Sequence, residues 1–100
     1  MKAVFDHLEQ TRYLLSQIFE SGFASARGLS SELDQGERIA AELGMAGGAE
    51  LLRELRAKLT ALAAGQGPIS SAAIAYCNVI SYYNMVADML AVETMSVKPK

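Results

Sequence analysis

Between Ile69 and Val92 the sequence carries a single charge, Asp88. Within that stretch Ile69, Ala72, Tyr76, Val79, Tyr83, Val86 and Leu90 follow one another at alternating steps of three and four. At 3.6 residues per turn, such steps lay one continuous stripe along a helix. The other faces of the segment are also largely apolar or small. A helix so poor in charge on every side is normally enclosed by protein rather than by water. The remainder of the chain, and a second copy of it, are therefore expected to pack around this rod.

A bilayer would be the other shelter, because residues 69–87 contain no charge over 19 positions. Ser70, Ser71, Asn78, Ser81, Asn84 and three tyrosines argue against it. In hydrocarbon several of these groups would lack a partner. A membrane span is not expected, and packing in water is.

One hundred residues make one domain, with room for a single modest core. The chain is 51% hydrophobic and only 7% aromatic, so its apolar content is mostly aliphatic residues and Met. Prolines occur only at Pro68 and Pro99, which leaves long helices uninterrupted. The net charge of −2 gives no cationic surface to displace nucleic-acid counterions, so nucleic-acid binding is not expected. The lone Cys77 cannot form an intrachain disulfide, and the opening MKAVFDHLEQ lacks an apolar signal core. Both favour a reducing, cytoplasmic setting.

Four helices can be read along the chain. The first runs from about Lys2 to Glu20, with Val4, Leu8, Thr11, Leu15 and Ile18 in a stripe widened by Phe5, Leu14 and Phe19. Gly22 stands where such a helix stops, and Phe23 is placed to fold back on its last turn. Ser21 to Ser30 is small and flexible in composition. A second helix follows, with Ser31 and Asp34 disposed as a capping box and Leu29, Leu33, Ile39, Ala40 and Leu43 on its apolar side. Gly36 lies inside it, and Gly44 ends it. Gly47 and Gly48 read as the next break, followed by a third helix over 49–63 that buries Leu52, Leu55, Leu59 and Leu62. Gly65-Gln66-Gly67-Pro68 separates it from the fourth helix, which begins near Ile69 with Ser70 or Ser71 as cap. The single domain is expected to span residues 1–95, with 96–100 a frayed tail.

No group of residues has the spacing of a catalytic or metal site. His7 and Glu9 are two apart and point away from each other on a helix, so His7 reads as a solvated residue at a helix start. Cys77 has no His or Lys near it in sequence and reads as a buried, inert thiol. Arg27, Arg38, Arg53 and Arg56 alternate with glutamates, which makes an ion-paired outer face rather than an anion site. Met45, Met85, Met89 and Met95 read as gap fillers as readily as an adaptable surface. The best candidate ligand-binding set is Tyr76, Asn78 and Tyr83, where two rings one heptad apart flank an amide. Packing against another helix accounts for the same residues.

The stretch from Phe19 to Leu62 resembles the helical regions that accompany SWIM zinc-finger domains in some bacterial proteins. The resemblance is carried by Glu20-Ser21-Gly22-Phe23-Ala24, Leu43-Gly44-Met45 and Ala49-Glu50-Leu51-Leu52-Arg53-Glu54-Leu55. It implies a free-standing helical accessory module of bacterial origin. The cysteines and histidine of the finger have no counterpart here, so neither zinc nor nucleic acid follows from it.

The sequence thus predicts an all-α, four-helix bundle with a long, charge-poor C-terminal helix at its centre or at a symmetric interface. It predicts no enzyme, cofactor or metal. It predicts a homodimer whose interface is the stripe Ile69, Ala72, Tyr76, Val79, Tyr83, Val86 and Leu90, with a further protein partner as its target. A small apolar or aromatic ligand held between helices is the alternative role.

Overall fold

The computed structural model describes residues 2–23 and 28–97, with side chains placed through Val92. It contains four helices: α1 (Lys2–Ser21), α2 (Ser30–Glu42), α3 (Ala46–Ala63) and α4 (Ile69–Val97). Among the described residues there is no strand. Each helix lies beside two others, in the cyclic order α1, α2, α3, α4. Paired positions show that neighbours are antiparallel. His7 meets Tyr83 and Leu15 meets Tyr76 across α1 and α4. Gly36 faces Leu52, and Asp34 pairs with Arg56, across α2 and α3. The chain is an up-down-up-down four-helix bundle.

The helix stops follow from local chemistry. At the end of α2, the Met45 N–H donates to the Ala40 carbonyl and the Gly44 N–H to Ala41. The same pair of bonds recurs at the end of α3, from Gln66 to Ala61 and from Gly65 to Leu62. This closure requires a left-handed residue, and Gly44 (φ 79°) and Gly65 (φ 77°) supply it without a Cβ penalty. The helix starts differ from expectation. α2 begins at Ser30 after Leu29, with no side-chain cap bond, so Ser31 and Asp34 form no capping box. Asp34 is instead drawn into ion pairs with Arg38 and Arg56. Ser70 and Ser71 sit inside the first turn of α4 rather than capping it.

The core is a ladder of leucines from three helices closed by α4. Leu8, Leu15, Ile18, Leu33, Leu52, Leu55 and Leu59 are buried, with Ala72, Val79 and Tyr83 opposite them. Each fully buried Leu contributes about 1.5–3 kcal/mol of transfer free energy. Phe5 and Phe19, expected to widen the α1 stripe, are exposed, and Leu14 is buried. α4 is not the centre of the bundle but one of its four corners. It is also the longest element, and the molecule measures 56 × 22 × 19 Å. α3 begins opposite Tyr82 and Tyr83, so the part of α4 beyond Met85 runs past the end of α3. Ser96 and Val97, expected in a frayed tail, are helical. Residues 24–27 of the small-residue connection, and 98–100 of the tail, lie outside the described residues.

Candidate functional site

The charge-poor stripe of α4 divides into an inner and an end portion. Ala72, Tyr76, Val79 and Tyr83 are buried by their own chain. They cannot face a second copy, which corrects their assignment to a dimer interface. Four antiparallel helices of this chain suffice to cover them. Val86 and Leu90 are half-buried where α4 leaves α3 behind, and Ile69 is exposed at the opposite end.

The polar heart of the bundle is a cluster that no sequence spacing indicated. His7, Thr11 and Tyr83 are all buried, His7 at 2% exposure rather than solvated. His7 Nε2 lies 2.7 Å from the Tyr83 hydroxyl, and their rings meet edge to face. Burial holds His7 below its ordinary pKa of 6.5. Burial also pushes the Tyr83 phenol up to about 12, opposed by a hydrogen bond from the Thr11 hydroxyl. Both rings are therefore neutral near pH 7. Which of the two groups donates in this bond depends on the histidine tautomer. His7 Nδ1 is buried and finds no partner among the described residues. A buried polar atom left unsatisfied costs about 1–3 kcal/mol. The partner of His7, Tyr83, lies 76 positions away in the chain, so only the fold reveals it.

Tyr82 and Tyr83 pack edge to face at 5.3 Å between ring centres. The first turn of α3 rests on them. A Cβ on Gly48 would fall 2.9 Å from Tyr82 Cε2 and 3.0 Å from the Tyr83 hydroxyl, and one on Gly47 3.2 Å from Tyr82 Cε1. The Gly47-Gly48 pair is therefore not a break between helices. It is the part of α3 that lets two tyrosines approach its backbone. Two adjacent glycines inside an otherwise helical pattern are the signal that could have shown this.

Tyr76 is a second tie between α1 and α4. Its hydroxyl donates to the Leu15 carbonyl at 2.9 Å, and its ring touches Phe19 and Phe23. Phe23, expected to fold back on the last turn of α1, packs edge to face on Tyr76 of α4. Asn78 is exposed, whereas Tyr76 and Tyr83 face the core. The three residues proposed as a ligand set are thus not brought together. The recess closest to them is a groove of about 220 Å³ that includes Arg12, Tyr76, Ile80, Tyr83 and Asn84, without Asn78. A larger polar cleft, about 320 Å³, lies between α1 and α2 beside His7, Gln10, Thr11, Glu32 and Gln35.

The outward side of α4 has the opposite character. Ile74, Met85 and Met89 are 62, 51 and 61% exposed. With Asn78 and Ser81, also exposed, they follow one another at steps of four, three, four and four. Cys77 is on this outward side as well, exposed rather than buried. Three arginines of α2 and α3 are matched: Arg38 with Asp34, Arg53 with Glu50, and Arg56 with Glu37 at 3.0 Å. This is the ion-paired face the sequence suggested for three of the four arginines, Arg27 lying outside the described residues. Among the described residues no three His, Cys, Asp or Glu side chains are grouped to hold a metal ion. No helix among them is long and apolar enough to cross a membrane.

No family model, curated protein or solved structure matches this chain. The resemblance of residues 19–62 to SWIM-accompanying helices therefore gains no support from known proteins.

Proposed function

We propose that this chain is a small, non-enzymatic helical interaction module that self-associates through the outward side of α4, in a reducing, cytoplasmic setting. The observation that carries the reading is the row Ile74, Met85 and Met89, exposed on a helix with no charge from Ile69 to Ala87. A large aliphatic or Met side chain that gains burial contributes about 1.5–3 kcal/mol, so three at one interface are a substantial driving force. The role first assigned to the inner stripe passes to the face behind it. A different protein with a complementary apolar helix would use the same face.

Light scattering of the purified full chain across a wide concentration range tests the reading. A mass of twice the chain, falling to one chain on dilution, is the expected result. A particle that stays monomeric at the highest concentration overturns it.

A small-ligand role finds its footing in the α1–α2 cleft rather than beside Tyr76 and Asn78. The unpartnered His7 Nδ1 and the flanking Gln10 and Gln35 favour a hydrogen-bonding molecule over an apolar one. Native mass spectrometry of the freshly purified chain would show a retained mass if this role applied.

A further inference from the structure

Resting on the small-ligand role of the α1–α2 cleft, and independent of self-association, we propose that this cleft binds an elongated aliphatic cation, with an ammonium group beside Glu32 at one end and an N–H donor to His7 at the other.

Two matching helix faces form the cleft. His7, Gln10 and Thr11 come from α1, and Glu32, Gln35 and Gly36 from α2. Each set runs in steps of three and one, so each lies on one side of its helix. α1 lies less closely against α2 than α3 does. Gly36 brings no side chain to the wall, at a cost in helix stability that alanine would avoid. The space of about 320 Å³ is at the lower end of the range of about 300–1,000 Å³ typical of small-molecule sites.

The floor holds the group that points to a ligand. His7 borders the cleft yet is only 2% exposed, and its Nε2 is occupied by Tyr83. Nδ1, the ring nitrogen left over, is buried without a partner among the described residues. A neutral imidazole offers one N–H and one lone pair. A ligand N–H that donates to Nδ1 fixes the tautomer in which Nε2 carries its proton toward Tyr83. Gln10 and Gln35 are exposed at the rim, free to move aside and then to hydrogen-bond along the ligand.

Charge and direction supply the rest. Asp34 and Glu37 of α2 are matched by arginines, whereas Glu32 has no ion pair among the described residues. Glu32 is also the only charged residue lining the cleft, so a cation is attracted there and an anion repelled. Because α1 and α2 are antiparallel, His7 lies across from Ile39, and Leu14 from Glu32. His7 and Glu32 therefore mark opposite ends, about seven residues of rise or roughly 10 Å apart along the axis. Leu14 and Ile39 offer apolar contact to a chain that spans them.

The chain has a single histidine, so the ring nitrogens of His7 report on the site in the unmodified protein. The 15N-labelled full chain is titrated at neutral pH with 1,6-diaminohexane, 1,6-hexanediol and adipate, which share a six-carbon chain and differ at its ends. The diamine should move the His7 Nδ1 resonance saturably, in the roughly millimolar range of so small a probe, and the other two should not. Glu32→Gln, a change at an exposed position, should weaken the diamine by about two- to fivefold, the effect of one exposed charge pair. Equal binding of the diol or of adipate would overturn the cation, while a hydrogen-bonding cleft would stand. Diamine binding that leaves His7 unmoved, or that Glu32→Gln does not weaken, would place it elsewhere and overturn the inference. If none of the probes binds, the inference falls; if native mass spectrometry also shows no retained mass, the small-ligand role falls with it.

Discussion

Tyr83 is gripped from two sides, by His7 and Thr11 of α1 and by the backbone of α3 at Gly48. The grip makes stability depend on pH. Burial lowers the His7 pKa below 6.5, so the unfolded chain takes up a proton before the folded one does. Stability is therefore full above about pH 6.5 and declines as pH falls below it. The urea midpoint should drop between pH 7.5 and 5.5, a window in which ordinary carboxylates scarcely titrate. His7→Phe should flatten that dependence; an equally steep fall in the variant would assign it to another group. Glycine gives a second test at this scale. Gly48→Ala drives a methyl into Tyr82 and should cost about 1–3 kcal/mol. At Gly36 the closest side-chain atom, Leu52 Cδ1, would be 3.6 Å from an added Cβ, an ordinary contact. Gly36→Ala should therefore stabilise α2 by up to about 1 kcal/mol. Thermal melts of the two variants should shift in opposite directions.

At the scale of elements, α1 is tied to α4 by two tyrosine hydroxyls that differ in what they leave behind. Tyr76→Phe frees only a carbonyl inside α1, at a cost of about 0.5–1.5 kcal/mol. Tyr83→Phe leaves His7 buried with neither ring nitrogen bonded to Tyr83, and should cost more, about 1–3 kcal/mol. Amide exchange should quicken in α1 before it quickens in α3. Protection lost equally in all four helices would show that α1 does not loosen separately. The same elements show what the sequence made legible. The registers of α1 and α4 follow from apolar spacing, and the ends of α2 and α3 from Gly44 and Gly65, because those are local properties. Which side of α4 turns inward is not local. Nearly all its faces are apolar, so the stripe was identified and given the wrong neighbour. His7 looked solvated for a related reason: Asp6 and Glu9 beside it are exposed, while the residue that satisfies it lies on another helix. Cys77 looked buried because the segment around it is uncharged, and residue type says nothing about which face of such a segment meets solvent.

For the whole molecule, the charge-poor helix now has two jobs. Its inner face closes the core with Ala72, Val79 and Tyr83, and its exposed outer face is the surface proposed for assembly. A change on the outer face should therefore weaken association and leave the bundle intact. Met85 is 51% exposed, so Met85→Glu disturbs little of the chain's own packing. In the pair it would place a charge in an apolar seam and forfeit about 1.5–3 kcal/mol of Met burial. That converts to a dissociation constant weaker by about 10- to 100-fold. Far-UV circular dichroism and melting of the monomer at high dilution should be unchanged. Salt gives the complementary reading. An interface held by Ile74, Met85 and Met89 contains no ion pair to screen, so raising ionic strength should not dissolve the dimer. If association collapsed with added salt, the contact would have to lie elsewhere, on the Arg38–Asp34 and Arg53–Glu50 side of α2 and α3.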